Sequence, residues 1–341
     1  MRVGLVVATA FLGMSVLSSV ATVVADEPVR IGIIGLDTSH SPAFAKEFNA
    51  EHSADDPLAG FRVVAAYPFG SKSIESSSSR IPGYTEQLES MGIEIVDSIS
   101  DLLSKVDCVL LETNDGTLHH EQALQVFEAG KPVFIDKPVG SDLAETLAIY
   151  AAAKHFDVPM FSSSSLRYSN GAQAIRSGSV GKVLGCSAHS PCKIEPSHVD
   201  LYWYGIHGVE TLYTCMGVGC DTVSHTSTDD FEFAVGRWSD GRIGTFRGIR
   251  AGSSGYGGMV YGEKAVREIG KYDGYRPLLV EIAKFFRTGE SPIDAAETIE
   301  LYAFMQAAYE SKRQGGIPVE IEAVMQSAEK QAKMLNSSLS N

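Results

Sequence analysis

Beyond residue 28 the apolar positions fall into two kinds of pattern. Short runs that are apolar at nearly every position occur at residues 29–35 (VRIGIIG), 61–67, 93–96, 106–112, 132–135 and 160–163. Runs of this kind predict strands buried on both faces, as in a parallel sheet covered by helices on each side. The mixed segments between them, from residue 42 to about 49 and at 84–91, 99–103, 120–129 and 142–156, read as helices. Gly130 closes the fourth of these as a C-cap. Residues 51–60 and the serine-rich 76–79 read as loops. Strands and helices alternating over short links predict a parallel sheet with right-handed crossovers.

After residue 165 the pattern changes. A helix near 171–177 leads through Gly178 and Gly181 to a strand at 183–190, and 200–216 reads as one long helix. Strands follow at about 223–227, 231–238, 243–250 and 258–261, with Ser239-Asp240-Gly241-Arg242 as a hairpin turn. Hairpin neighbours imply an open, mainly antiparallel sheet and so an α+β unit. The tail at 277–288, 295–314 and 321–335 is helical in pattern. A length of 341 residues agrees with two domains.

The remaining bulk properties narrow the setting. Arg2, an apolar stretch over 3–24 and the small residues Val23-Val24-Ala25 read as a signal peptide over 1–25, cleaved before Asp26. An uncleaved anchor is the rival reading, because the run is long enough to span a bilayer. With the leader removed, export to the periplasm or another extracytoplasmic space is expected, with no stable membrane insertion. The net charge of −14 argues against non-specific nucleic-acid binding. Five cysteines, an odd and sparse set, do not make a disulfide framework; a pair between Cys215 and Cys220 stays open.

The loop after the first strand is the natural phosphate site, because a strand running into a helix N-terminus presents backbone N–H groups and a positive dipole end. Here it reads Gly35-Leu36-Asp37-Thr38-Ser39-His40. Only the first of three customary glycines is kept; Asp37 and His40 stand at the other two positions. A carboxylate beside a pyrophosphate is unfavourable unless it turns away or caps the helix, whereas Thr38 and Ser39 offer hydroxyls. The second strand ends in Ala66-Tyr67-Pro68 rather than in the acid that grips an NAD ribose. Ser71 and Lys72 lie just beyond, placed to meet a 2′-phosphate. The pattern reads as a Rossmann-type dinucleotide-binding domain over 26–165, followed over 166–341 by an α+β domain that includes the C-terminal helices.

Two segments carry a specific likeness. One is Glu112-Thr113-Asn114-Asp115-Gly116-Thr117-Leu118-His119, continued by Gly130-Lys131-Pro132 and Asp136-Lys137-Pro138. The other is Trp203-Tyr204-Gly205-Ile206-His207-Gly208-Val209-Glu210. In order and spacing the chain resembles the Gfo/Idh/MocA oxidoreductases. The resemblance implies NAD or NADP as cofactor, a carbohydrate-like substrate and a homo-oligomer, and it assigns substrate binding and oligomerisation to the domain over 166–341. It implies Lys137 and His207 as the catalytic pair, His207 as acid/base and Lys137 on the substrate oxygen, which suits the removal of an O–H proton as hydride leaves carbon. It places Asn114 and His119 beside the nicotinamide and Arg167 and Tyr168 in the interdomain cleft. Asp136 replaces the motif Glu, Trp203 its first Asp, and Glu210 its last. Trp203 and Tyr204 can present flat rings to a sugar face. His198, Asp200, His207 and Glu210 lack tight ligand spacing, so no metal is assigned.

The altered glycine loop, the missing ribose acid and export keep a second reading open. That reading is a redox-inactive or non-hydride relative: a carbohydrate-binding protein, or a lyase or hydrolase with His207 as base.

Overall fold

The computed structural model describes Met1 and residues 27–340; the expected leader lies outside the described residues. Strand β1 (Val29–Ile34) enters helix α1 (His40–Phe48), and β2 (Phe61–Tyr67) follows. Then come α2 (Glu75–Ser78), α3 (Ile81–Ser90), β3 (Glu94–Ile95), α4 (Ile99–Leu103) and β4 (Cys108–Leu111). Helix α5 (His119–Glu128), β5 (Val133–Ile135), α6 (Leu143–His155) and β6 (Met160–Phe161) complete the first unit. The strands lie in the order β3-β2-β1-β4-β5-β6, all parallel, so the chain reverses direction across the sheet between β1 and β4. Such a switch opens a crevice at the carboxyl ends of the strands. The four residues of β4 are all buried, as its unbroken apolar run requires.

The second unit contains α7 (Asn170–Arg176), β7 (Val183–Pro191), α8 (Ile206–Met216), β8 (Cys220–Ser227), β9 (Phe231–Trp238), β10 (Ile243–Ile249), β11 (Gly257–Gly262) and β12 (Val266–Glu268). The tail supplies α9 (Arg276–Thr288), α10 (Ala295–Arg313), β13 (Val319–Glu320) and α11 (Ile321–Leu335). Seven strands form one sheet in the order β12-β11-β7-β10-β9-β8-β13. Every neighbouring pair is antiparallel except β10 with β7. Helix α8 packs on β7 and β10, and α10 on β8. Among the described residues no helix is long and apolar enough to cross a membrane.

Two features differ from expectation. The helix expected from residue 200 starts at Ile206, because the Ile206 N–H is taken by the Leu201 carbonyl (2.7 Å) in a preceding turn. The serine run expected as a loop forms one helical turn, α2. All five cysteines are free and buried, so Cys215 and Cys220 are not joined. Helix α9 turns back to the first unit: Leu278, Leu279, Ile282 and Phe285 share a core with Phe44 of α1 and Phe161 of β6.

Candidate active site

Pairing register sets the floor of the cleft. Ile34 pairs with Leu111, and Leu111 with Ile135, so β1, β4 and β5 end level. The residues just past β4 and β5, Glu112 and Asp136, therefore stand side by side at the carboxyl edge. Their N–H groups extend the ladder, to Ile34 O (2.7 Å) and Leu111 O (2.8 Å). Over them lies the loop from β1 to α1. Gly35 adopts φ +97°, and a Cβ there would stand 2.4 Å from the backbone N of Thr113. Only glycine meets both conditions.

Asp37 does not project toward a phosphate. Its carboxylate turns inward and accepts N–H bonds from Asn114 (2.9 Å) and Ser71 (3.2 Å). It ties the phosphate loop to the loops after β2 and β4. Burial pushes its pKa up to about 6 against the effect of those N–H donors. With Asp37 out of the way, Thr38, Ser39 and His40 line a cavity between the two units. His40 opens α1, and its Nδ1 lies 2.6 Å from Asp136 Oδ2. The Tyr275 ring meets the His40 ring edge-on at 4.9 Å.

The cavity measures about 240 Å³. From the first unit it is also lined by Asn114 and Lys137, and from the second by Trp203, Tyr204 and His207. Lys137 is 6% exposed, with its ammonium 5.4 Å from the centre of the Tyr204 ring. His207 sits in the first turn of α8, brought close to the sheet by Gly208, where a Cβ would meet Phe246 at 2.4 Å. Its Nδ1 is 2.7 Å from Ser164 Oγ, which also accepts from Leu166 N. In the tautomer with Nδ1–H donating to Ser164, Nε2 is left as a base. Burial, reinforced by the charge of Lys137, holds the His207 pKa well below the ordinary histidine value, so the ring is neutral near pH 7.

Other expected site residues lie elsewhere. His119 is fully buried, with its ring nitrogens against the carbonyls of Thr113 (2.6 Å) and Val139 (3.2 Å); it braces the floor from below. Arg167 and Glu210 do not face the cleft. Arg167 is buried between Glu210 (2.7 Å) and Glu297 (2.5 Å), a charge set that desolvation forces to pair internally. Glu210 also accepts from Ser163 Oγ (2.6 Å) and Ser164 N (2.7 Å), which fixes the residue that holds His207. Tyr168 lines a separate groove with Arg176 and Pro277. Ser71 is buried in its own turn, and Lys72 is exposed outside the cavity lining. The set His198, Asp200, His207 and Glu210 is dispersed: His198 accepts the Gly116 N–H (3.0 Å), Asp200 pairs with Lys312 (2.7 Å), and the other two are placed as above. Burial pushes the His198 pKa down to about 4, so it is a neutral acceptor joining the two units.

Sequence reasoning missed Arg80, Tyr84, Tyr256, Tyr272 and Tyr275, all in the cavity wall. Three of the four tyrosines inside the glycine-rich stretch 252–274 and just after it reach the cavity; they were a usable signal, since aromatic rings in a polar loop need a surface to meet. Arg80 follows a serine run and carried none.

A parallel sheet in the order 3-2-1-4-5-6, a helix N-terminus at its switch point and a polar cleft against a second α+β unit define a two-domain architecture whose first domain has the dinucleotide-binding form. Residues 29–163 match the Gfo/Idh/MocA family model, described as an oxidoreductase family with an NAD-binding Rossmann fold. An uncharacterized oxidoreductase of Streptococcus pneumoniae is 29% identical over 155 residues, which is 40% of this chain. The match spans 42% of that relative's length. Across both domains the fold is that of two solved structures. Lactobacillus plantarum myo-inositol 2-dehydrogenase has a TM-score of 0.69 at 17% identity, over 86% of this chain and 99% of that one. Lactobacillus casei scyllo-inositol dehydrogenase, solved with NAD(H) and scyllo-inositol, has a TM-score of 0.69 at 14% identity over the same shares.

Proposed function

We propose that the chain is a Gfo/Idh/MocA-type oxidoreductase that uses NAD or NADP on a hydroxyl or carbonyl of a sugar, polyol or glycoside. One observation carries this reading: Lys137 and His207, one from each unit, line a single cavity beside the N-terminus of α1. The residues present suit the cofactor's phosphates. Asp37 is withdrawn, the α1 N-terminus faces the cavity, and Arg80 adds a cation to its wall. Thr38, Ser39 and His40 would hold the phosphates, with Asn114 nearby; the bound cofactor supplies the hydride acceptor. Neutral His207 takes the hydroxyl proton, and the Lys137 ammonium stabilises the alkoxide that develops. The tyrosines, with Trp203, offer faces to a carbohydrate ring.

A second reading is favoured by cavity size. About 240 Å³ is below the roughly 300–1,000 Å³ of sites that take drug-sized ligands. A monosaccharide suits it better than a whole dinucleotide, as in a sugar-binding protein or a lyase with His207 as base. Titration of the purified protein with NADH and NADPH, followed by nicotinamide fluorescence, separates the two. Binding in the micromolar range supports the first; silence at millimolar cofactor overturns it. If cofactor binds, Lys137→Ala and His207→Ala should each lower turnover by about 10²–10⁴-fold while leaving cofactor affinity largely intact.

The reading extends to assembly and location. Half-exposed Phe231, Phe233 and Met259 on the sheet of the second unit support a homo-oligomer. The apolar leader supports export, tested by fractionating cells for the chain and for loss of residues 1–25.

A further inference from the structure

Three ligand-type side chains converge at the floor of the cleft. His40 Nδ1, a Glu112 carboxylate oxygen and an Asp136 carboxylate oxygen all lie within 4.8 Å of one another. Glu112 and Asp136 follow the level ends of β4 and β5, and His40 opens α1 above them, a rigid base of the kind a metal centre needs. The cluster is not satisfied internally. Glu112 has no exposed surface, yet among the described residues neither of its carboxylate oxygens has a hydrogen-bond partner. Glu112 Oε2 lies 4.0 Å from His40 Nδ1, so the group is aimed into the cluster. Asp136 Oδ1 is also buried and unpartnered. Buried carboxylate oxygens without donors are costly, and each calls for a proton, a donor or a bound cation. One proton shared between the two carboxyl groups can serve at most two of these three oxygens.

We propose that His40, Glu112 and Asp136 bind one divalent first-row cation. Neutral imidazole with two carboxylates carries a charge of −2, which a dication cancels. One nitrogen and two oxygens suit Zn²⁺ or Mn²⁺ over softer ions. Small side-chain shifts bring the three atoms to the ~2.0–2.2 Å of Zn–N and Zn–O bonds. His40 also lines the cavity, so an open coordination position would face a ligand oxygen there. The placement explains His40, where the customary loop has glycine, and an acid at position 112. It does not depend on the cofactor reading.

The test uses purified protein freed of metal with EDTA and dialysed, with no nucleotide present. Titration calorimetry with ZnCl₂ and with MnCl₂ should show one equivalent bound with micromolar or tighter affinity, and a raised melting temperature. His40→Ala and Glu112→Gln should each weaken binding by ~100-fold or more, a loss at the top of the range for disrupting a metal site's supporting shell. Electron spin-echo spectroscopy of the Mn²⁺-loaded wild type should show one imidazole nitrogen, a reading that needs no variant; Mn²⁺ bound without imidazole overturns the proposal. No binding of either cation, or binding unchanged in both variants, overturns the proposal. NADH affinity, measured separately on the metal-free protein, decides the cofactor reading alone.

Discussion

At the residue scale, the loop after β1 works by substitution of roles. Gly35 keeps the tight turn, and the second glycine's place goes to an aspartate that faces the opposite way. Gly35→Ala would force a Cβ into the Thr113 backbone at positive φ, with a cost above ~2 kcal/mol. A lowered urea midpoint at unchanged m-value would register it. Asp37 predicts a pH signature. Its folded pKa, raised to about 6, exceeds the unfolded value near 3.8, so the folded state holds the proton more tightly. Its contribution is full below pH ~4 and is lost as pH rises through 6. The size is up to about 3 kcal/mol for a shift of this order. In Asp37→Asn that decline between pH 4 and 7 should vanish; an identical stability profile in wild type and variant would refute the assignment. The direction of the Asp37 side chain was not legible in the sequence, because its N–H donors belong to residues 34 and 77 positions away.

At the scale of elements, the first unit was legible because burial on both faces leaves a signature that needs no partner to interpret. The parallel strands are apolar at nearly every position, with Arg30, Arg62 and Glu94 as the exceptions. The edges of helices were less so: α8 starts late because a turn claims its first donor. Charged residues were the least legible. Arg167 and Glu210 looked like cleft residues, since a charge in sequence carries no sign of whether its counter-charge is solvent, ligand or protein. Glu297, 130 positions away, decides it. The same blindness hid the carboxylate cluster, whose members meet only through strand order. The Arg167 set also joins α8 to the end of β6 and to α10. Arg167→Met should cost about 3–5 kcal/mol, because it strands the buried Glu210 carboxylate, whereas Glu297 keeps Arg176. The loss should exceed that of Arg313→Met, whose i,i+3 pair with Glu310 lies at the surface. Chemical denaturation of both variants compares them directly; equal losses would mean the buried set is not load-sharing between the elements.

At the scale of the molecule, the two sheets are finished differently. Helices cover the parallel sheet, whereas α8 and α10 pack on the second sheet from one side. Alternation along β9 and β10 sends Ala234 and Phe246 to that covered side, and Phe231, Phe233 and Thr245 to the other. On this second face Phe233 pairs across to Arg247, whose guanidinium lies 5.0 Å from the Phe233 ring. Ile243 and Tyr261 remain about half exposed on the same sheet. A sheet face with aromatic and aliphatic side chains and no covering layer is the kind of surface that a second copy covers. A twofold arrangement would set the face against itself, with the Arg–Phe stacks desolvated at its centre. Light scattering after size exclusion should therefore give a dimer or larger species at micromolar concentration. Phe233→Glu places a charge at the middle of the face and should release monomers with unchanged far-UV circular dichroism. The cavity is built on α8, which covers the opposite face of the sheet, so the monomer should keep its cation and cofactor affinities. A wild-type monomer, or an oligomer indifferent to Phe233→Glu, would remove this face from the assembly.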